Sequence, residues 1–325
     1  MLELLLPEVF RILQKDSFSM IEKLSIVCPC YNEAPCIKAF VSEVCKCIPK
    51  GQSFEIVFVN DGSSDETLLL MKQEAADRDY IHYVSFSRNF GKEAALLAGL
   101  RKAQGDVVVT MDVDLQDPPL YLPEMIQGIE DGFDSVATRR VTRAGEPPIR
   151  SWFARRFYWL MKKFSDVELV DGARDYRMMR RKVVDAILSM PENNRFTKGI
   201  YQWVGFKTKW IEFENVERKA GETKWSFWKL FKYAIDGVLA FTTAPLQIAS
   251  WLGVIACACS LTYLCWVCFR VLMWGDPVAG WPSLICIIVF LGGLQLLMIG
   301  IVGAYLAKIY LETKRRPMYF VSEEG

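Results

Sequence analysis

Residues 107–119 read Val107-Val108-Val109-Thr110-Met111-Asp112-Val113-Asp114-Leu115-Gln116-Asp117-Pro118-Pro119, an apolar run that ends in acidic groups. The apolar and β-branched residues predict a buried strand, and the two prolines predict a stop after it. Alternate residues of an extended chain point to the same side, so Asp112 and Asp114 can share one cation. Carboxylate and amide oxygens suit Mg²⁺ or Mn²⁺ better than zinc. Taken alone, the motif fits a metal site and a solvated acidic turn equally well.

Three more apolar runs of strand type precede this stretch, and helix-like segments separate them. The four strand-like runs cover residues 24–28, 54–59, 81–86 and 106–111. The helix-like segments cover residues 34–47, 65–77 and 91–103. Strands that alternate with helices in this way predict an α/β fold with a mostly parallel sheet.

Polar motifs follow each of the four strand-like runs. They are Cys28-Pro29-Cys30-Tyr31-Asn32-Glu33, Asn60-Asp61-Gly62-Ser63-Ser64-Asp65, Ser87-Arg88-Asn89-Phe90-Gly91-Lys92-Glu93 and the acidic stretch itself. Ligands bind at the carboxyl ends of strands in open α/β sheets. The cations of the third motif precede a helix, where anionic phosphates are favoured. Helix capping explains Ser64 or Asp65 well and Asp61 less well. The four motifs together favour a nucleotide-and-metal site over four unrelated loops.

Two long runs without charged residues lie near the C-terminus. Residues 237–269 form a run of 33 and residues 277–307 a run of 31. A helix needs about 20 apolar residues to cross a bilayer, so both runs are long enough. We expect transmembrane helices at 243–272 and 283–309, joined by an external hairpin at 273–282. Two buried helices of a soluble core are the alternative, which these lengths disfavour.

Basic residues flank the pair of runs on one side. Lys224, Lys229 and Lys232 precede the first run, Lys308, Lys314, Arg315 and Arg316 lie at the end of the second, and only Arg270 is near the hairpin. The positive-inside rule therefore predicts a cytoplasmic main domain at 22–220, with an N-terminal extension at 1–21 and a cytoplasmic tail at 310–325. The formal net charge of +1 gives no indication of a nucleic-acid partner.

Two segments interleave aromatic and basic residues, at about 149–164 and at 221–242. Amphipathic helices of this composition suit a membrane interface. Packing against the main domain is the alternative, and the neighbouring spans favour the interface.

The ordered set of motifs resembles the family 2 glycosyltransferases. Within that family it resembles the polyprenyl-phosphate glycosyltransferases, which include dolichyl-phosphate mannose synthase and the bactoprenol glucosyltransferases. The strand-end motifs carry the resemblance together with the segment Arg218-Lys219-Ala220-Gly221-Glu222-Thr223-Lys224-Trp225 and the paired C-terminal spans. The resemblance covers about residues 22–320. The bactoprenol branch looks closest, because Arg88-Asn89-Phe90-Gly91-Lys92-Glu93 has that branch's form.

The resemblance implies a type A nucleotide-sugar transferase fold, which is Rossmann-like. It implies that the nucleotide sugar meets Pro29, Tyr31, Glu33, Asp61 and Asp112, and the cations Arg88 and Lys92 suit its phosphates. It implies that Asp112, Asp114 and Gln116 hold Mg²⁺ or Mn²⁺ with the diphosphate. We expect the acceptor phosphate to meet Arg174, Arg177, Arg218 and Lys224.

Asp175 falls where the family has an active-site acid. The family often shows Gly-Asp-Phe-Arg-Leu, whereas this chain has Ala173-Arg174-Asp175-Tyr176-Arg177-Met178, which adds a cation beside the acid. Arg174 either contacts the acceptor phosphate or makes a structural pair. We expect Asp114, Asp175, Arg218 and Lys224 to carry catalysis, with Asp175 as an orienting group.

The resemblance implies transfer of a hexose to undecaprenyl phosphate by a metal-dependent inverting displacement. UDP-glucose is the favoured donor, with UDP-GlcNAc, UDP-galactose or GDP-mannose as alternatives. The product would be a lipid-linked sugar for cell-surface glycans, such as O-antigen, made at the inner membrane and used by a flippase and a further glycosyltransferase. Relatives suggest a homo-oligomer such as a tetramer. A membrane scaffold or transport partner with an inactive domain is the alternative of another class, and it would predict loss of the metal acids.

Overall fold

The structure is a computed structural model that describes residues 21–140, 170, 172–193, 195–213, 242–274 and 280–325 of the 325-residue chain. Several predictions from sequence concern residues outside these ranges. The helix at 149–164, residues 221–241 of the second amphipathic segment, Arg218, Lys224, residues 1–20 and residues 275–279 of the hairpin lie outside the described residues.

Eight strands of the described part form one mixed sheet in the order β7-β5-β6-β4-β1-β2-β3-β8. The strands are β1 Lys23–Cys30, β2 Ser53–Asn60, β3 Ile81–Phe86, β4 Val107–Thr110, β5 Ser135–Arg140, β6 Ala173–Arg180, β7 Thr208–Phe213 and β8 Val321–Glu324. Strands β4, β1, β2 and β3 are parallel neighbours, whereas β6 is antiparallel to both β4 and β5. The predicted α/β fold with a mostly parallel sheet is confirmed.

Helices connect the strands and cover both faces of the sheet. Those of the main domain are α1 Ala34–Cys47, α2 Thr67–Asp77, α3 Lys92–Lys102, α4 Leu122–Glu130, α5 Arg181–Ser189 and α6 Thr197–Trp203, and a short 3₁₀ turn spans Pro119–Tyr121. The C-terminal pair is α7 Ala244–Trp274 and α8 Trp281–Thr313. Both are long and apolar enough to cross a membrane, and almost none of the residues in their most apolar stretches is buried.

Successive residues of the central strand β1 belong to different cores, because side chains alternate between the two faces of a sheet. Ile26 packs with the cluster under α1, and Val27 packs with the cluster on the other face. Helix α3 lies close against that second face at Gly99. A Cβ atom added there would lie 2.2 Å from Val27 Cγ1.

The topology reverses beside β1, which has β4 on one side and β2 on the other. Such a switch point opens a crevice at the carboxyl ends of the strands. The strand-end motifs after β1, β2, β3 and β4 therefore meet at one edge of the sheet. The candidate site is therefore expected at this edge of the sheet.

The buried carboxylate of Glu55 ties β2 to its neighbours. It accepts hydrogen bonds from Ser25 Oγ at 2.6 Å and Gln104 N at 2.7 Å, and it pairs with Lys23 Nζ at 2.5 Å. Burial alone would raise the pKa of Glu55, but the bonds from Lys23 and Ser25 hold it below its usual value. Stability from Glu55 is therefore present above about pH 4.3 and is lost as the pH falls through the folded-state pKa.

We expect Glu55→Gln to lower the free energy of unfolding by about 2 kcal/mol at pH 7, because a buried charged acceptor is lost while Lys23 remains. Denaturant unfolding of the detergent-solubilised chain measures this loss. The exposed Glu124→Gln is the matched control and should change little. The difference from the unaltered chain should shrink at acid pH, and an equal loss at both pH values would contradict the assignment.

Candidate active site

Side chains cross-link the loops that follow β1 and β2. Asn32 N donates to Ser63 Oγ at 2.9 Å, and Ser64 N donates to Asn32 Oδ1 at 2.8 Å. Glu33 N donates to Thr67 Oγ1 at 2.9 Å, at the start of α2. These reciprocal bonds hold the first two motifs together as one surface.

Three residues predicted to meet the nucleotide lie on this surface. Pro29 is the penultimate residue of β1, and Glu33 directly precedes α1. Tyr31 lies between them with 41 % of its area exposed, which leaves its ring accessible to a ligand. A contact of these three residues with base or ribose stays a prediction.

Asp61 follows β2 directly, and it is buried. Its carboxylate accepts hydrogen bonds from two backbone groups of the loop after β3, Phe90 N at 2.6 Å and Gly91 N at 2.9 Å. Burial raises the pKa of Asp61, and these two bonds oppose the change. Asp61 therefore fastens the second strand-end loop to the third, and its predicted contact with the nucleotide stays a prediction.

Gly62 allows the two loops to approach this closely. Its φ is +63°, a conformation that residues with a side chain rarely adopt. A Cβ atom at Gly62 would lie 2.4 Å from the carbonyl carbon of Arg88 and 2.5 Å from Asn89 N. The glycine of the second motif is therefore required by backbone contact with the third motif. Arg88 itself is exposed, and its guanidinium lies 4.4 Å from the Phe90 ring centroid.

The acidic motif leaves β4 through a strained turn. Leu115 has a φ of +58°, which is unusual for a branched apolar residue. Asp114 Oδ1 accepts a hydrogen bond from Gln116 N at 3.1 Å across this turn. Strained backbone of this kind costs about 1–3 kcal/mol and concentrates at functional sites. The turn keeps Asp112, Asp114 and Gln116 together at the sheet edge.

Register with β6 brings Asp175 to the same edge. Thr110 of β4 pairs with Arg177 of the antiparallel β6. Asp112, two residues after Thr110, therefore comes opposite Asp175, two residues before Arg177. Thr110 Oγ1 donates to the backbone oxygen of Asp175 at 2.5 Å. Two acids about 60 residues apart in sequence therefore become neighbours.

Lys92, the first residue of α3, lies between these two acids. Its Nζ is 2.7 Å from Asp112 Oδ1, 2.9 Å from Asp112 Oδ2 and 2.8 Å from Asp175 Oδ2. Burial alone would lower the pKa of the Lys92 ammonium, but the two carboxylates raise it well above its usual range. Burial alone would raise the pKa of Asp175, but Lys92 and Lys198 hold it well below its usual range. Lys92 and Asp175 are therefore both charged at neutral pH.

Arg174 pairs with the buried Asp117, since its Nε lies 2.9 Å from Asp117 Oδ1. Burial raises the pKa of Asp117 to about 6, although the guanidinium opposes this shift. The structural pair considered for Arg174 is thus present. A contact of its remaining N–H groups with the acceptor phosphate stays a prediction.

A small cleft beside Asp175 is lined by cations and aromatic rings. Its lining consists of Val170, Ala173, Arg174, Arg177, Phe196, Lys198, Tyr201 and Gln202. Arg177 is only 2 % exposed, and its guanidinium lies 4.6 Å from the Tyr201 ring centroid. Burial lowers the pKa of Arg177 to about 10, although Tyr201 and Asp175 oppose this shift. The cleft therefore brings three cations, Arg174, Arg177 and Lys198, together beside Asp175.

Sequence reasoning missed two charged residues of this region. Lys198 lies in α6, and its Nζ donates to the backbone oxygen of Ala173 at 3.0 Å. Glu93 accepts a hydrogen bond from Thr197 N at 3.0 Å, which ties the start of α3 to the start of α6. Lys198 lies near predicted residues only in space, whereas Glu93 directly follows the predicted Lys92 in the third strand-end motif.

The donor atoms at the acidic motif fit a hard divalent cation. Among the described residues, no group of three or more His, Cys, Asp and Glu side chains is placed to hold a metal. Mg²⁺ commonly needs only one or two carboxylates, because phosphates of the substrate complete its coordination. Asp112 and Asp114 meet this requirement when a diphosphate is present, and the cation would compete with Lys92 for Asp112.

Residues 25–188 match the family model described as Glycosyl transferase family 2, and the chain belongs to this family. It is 42 % identical to "Putative glycosyltransferase CsbB" of Bacillus subtilis, over 92 % of this chain and 91 % of the relative. It is 40 % identical to "Prophage bactoprenol glucosyl transferase homolog" of Escherichia coli, over 92 % of this chain and 98 % of the relative. It is 40 % identical to "Bactoprenol glucosyl transferase" of Shigella phage SfV, over 93 % of this chain and 99 % of the relative. The resemblance read from the motifs is confirmed.

Proposed function

We propose that this protein transfers glucose from UDP-glucose to the phosphate of undecaprenyl phosphate. The observation that carries the proposal is the convergence of Asp112 and Asp175 on Lys92 Nζ, beside a cleft lined by cations. An acidic strand end next to a cationic cleft can hold a nucleotide diphosphate and an anionic acceptor side by side. Relatives named bactoprenol glucosyl transferase, similar over nearly their whole length, support glucose and a polyprenyl acceptor.

The proposed acceptor accounts for the C-terminal helices. We place α7 and α8 across the inner membrane, with the main domain in the cytoplasm. At about 1.5 Å per residue, helices of 31 and 33 residues exceed the roughly 30 Å of the hydrocarbon core. A polyprenyl phosphate keeps its phosphate at the membrane surface, so an enzyme anchored there meets its acceptor in two dimensions.

On the donor side, Asp112, Asp114 and Gln116 would hold Mg²⁺ or Mn²⁺ against the diphosphate. The bound ion would neutralise charge on the departing nucleoside diphosphate. Lys92 then keeps Asp175 in place and offers its ammonium to the same region. Pro29, Tyr31, Glu33, Asp61 and Arg88 would hold the rest of the nucleotide.

On the acceptor side, the phosphate is already an anion at neutral pH and needs no strong base. Positioning by cations therefore matters more than proton removal. Arg174, Arg177 and Lys198 line the cleft beside Asp175, and Arg218 and Lys224 are the proposed partners from outside the described residues. Asp175, held ionised by Lys92 and Lys198, would orient the sugar or acceptor in an inverting displacement.

The lipid-linked sugar would be consumed by a flippase and a second glycosyltransferase that modifies a surface glycan. We also propose a homo-oligomer such as a tetramer. The retained acids of the acidic motif speak against an inactive scaffold or transport partner.

Membranes containing the protein should transfer labelled glucose from UDP-glucose to a chloroform-extractable lipid. EDTA should stop the transfer because the diphosphate loses its counter-ion, and added Mg²⁺ or Mn²⁺ should restore it. Parallel reactions with UDP-GlcNAc, UDP-galactose and GDP-mannose test the donor. Membranes with Asp114→Asn serve as the control. Absence of a metal-dependent lipid product from every donor would overturn the proposal.

A further inference from the structure

The last seven residues of the chain, Tyr319–Gly325, return to the main domain after α8, and we call them the C-terminal clasp. Strand β8 of the clasp pairs antiparallel with the edge strand β3. Tyr83 N donates to Gly325 O at 2.9 Å, and Ser87 N donates to Phe320 O at 3.0 Å. The clasp thus covers the sheet edge next to the third motif.

Aromatic rings of the clasp pack on the loop after β3. The Tyr319 ring stacks on Phe86, with centroids 4.8 Å apart. The Phe320 ring lies 6.2 Å from Phe90, which in turn makes an edge contact with Phe86 at 5.8 Å. Aromatic pairs of this kind contribute about 0.5–1.5 kcal/mol beyond the area that they bury. The loop residue Phe90 is therefore held between a core ring and a ring of the clasp.

Two ion pairs fix the register of the clasp. Lys72 Nζ lies 2.7 Å from Glu323 Oε2, and Lys102 Nζ lies 2.9 Å from Glu324 Oε2. Partly exposed pairs of this kind add little stability, but opposite charges specify which residues meet. The pairing is therefore specific for this sequence and is more than a generic cover for an edge strand.

Phe90 connects the clasp with the nucleotide site. Its backbone N–H is one of the two loop donors to Asp61, at 2.6 Å. A shift of the Phe90 ring would move this N–H and loosen the contact between the second and third motifs. Only five residues separate the end of α8 at Thr313 from the start of the clasp, so a short segment joins the membrane helix to the nucleotide site.

We propose that the C-terminal clasp is a positioning element for the nucleotide site. It holds the loop of residues 87–91 in the conformation that binds the donor diphosphate. This inference rests on the proposed function, because it requires a nucleotide at that site. Tyr319 and Phe320 act through Phe86 and Phe90 and are positioning residues.

The test compares UDP binding to the detergent-solubilised chain by isothermal titration, with and without deletion of residues 318–325. Deletion should weaken UDP binding about tenfold, because loop positioning is lost while Asp112 and Lys92 remain. In transfer assays the KM for the donor should rise more than kcat falls. A synthetic peptide of residues 317–325 should restore UDP affinity, and the same peptide with Tyr319→Ala and Phe320→Ala should not.

Point variants cover the case in which the deletion fails to fold. Phe320→Ala should reproduce the weaker UDP binding, whereas Val321→Ala, on an exposed side chain of the same strand, should bind as the unaltered chain does. Equal UDP affinity in the unaltered, deleted and Phe320→Ala chains would overturn the inference. Failure of the unaltered chain to bind UDP would instead overturn the proposed function and the inference with it.

Discussion

Asp112→Asn is expected to lower the rate of sugar transfer about 10³-fold, which corresponds to roughly 4 kcal/mol of lost transition-state stabilisation. Asparagine keeps the shape of the side chain but removes its charge. The substitution therefore weakens the proposed ion site and leaves Lys92 with one carboxylate partner instead of two. Stabilisation of the leaving diphosphate is the step that needs this charge most.

The rate is measured as labelled sugar transferred to lipid in membranes that contain equal amounts of each protein. Glu124→Gln, an exposed acid of α4, is the matched control and should keep the full rate. Excess Mn²⁺ should recover part of the lost activity if Asp112 acts through the ion. A transfer rate for Asp112→Asn near that of the control would exclude Asp112 from the ion site.

Asp175→Asn is expected to lower kcat about 10²-fold while the KM for the donor changes little. The carboxylate lies beside the cleft that we assign to the acceptor, so its loss should affect the orientation of the reacting groups more than donor binding. Lys92 and Lys198 hold its pKa well below the usual range, so the unaltered protein should keep its activity into mildly acid pH.

The pH profile separates an orienting role from a merely structural one. Removing one of the two cations in Lys198→Met should raise the pKa of Asp175. The acid limb of the kcat profile should then move to higher pH, since less of the protein carries the ionised carboxylate at a given acid pH. Full turnover in Asp175→Asn would remove Asp175 from the catalytic set. An unchanged acid limb in Lys198→Met would show that Asp175 does not set that limb.

The regular first half of the fold could be predicted because its pattern is local. Helix α1 has the bounds expected from sequence, Ala34–Cys47, and each of the four predicted strands is present. Buried parallel strands appear in sequence as continuous apolar runs, and helices separate them here. The same pattern located the strand-end motifs in the sequence, and these motifs include the acidic residues Asp112 and Asp114.

The second half of the sheet could not be predicted in this way. Strand β6 carries Arg174, Asp175, Arg177 and Arg180, so its sequence looks like an exposed segment. Its buried Arg177 is compatible with the core only because its guanidinium lies against the Tyr201 and Trp210 rings and donates to Ser135 Oγ at 3.1 Å. Those partners lie on other strands and helices, and no local sequence pattern predicts their contact with Arg177.

The same limit applies to the cations of the site. A charged residue that will face a ligand and one that will pair inside the protein look alike in a sequence. For Arg174 the sequence left a phosphate contact and a structural pair both open, and the partner that the structure shows for its Nε, Asp117, lies 57 residues away. Lys198 lies in no motif and reaches Asp175 only through the packing of α6 on β6.

The antiparallel pairing of β4 with β6 has a consequence for the folding of the protein. Asp112 and Asp175 meet only in the observed register, Thr110 opposite Arg177. Because side chains alternate along a strand, a slip of one residue would turn Asp175 to the opposite face of the sheet. With the orienting role that we propose for Asp175, a molecule with mispaired strands would transfer sugar much more slowly. Full activity would on this proposal require the correct alignment of two strands that are distant in the sequence.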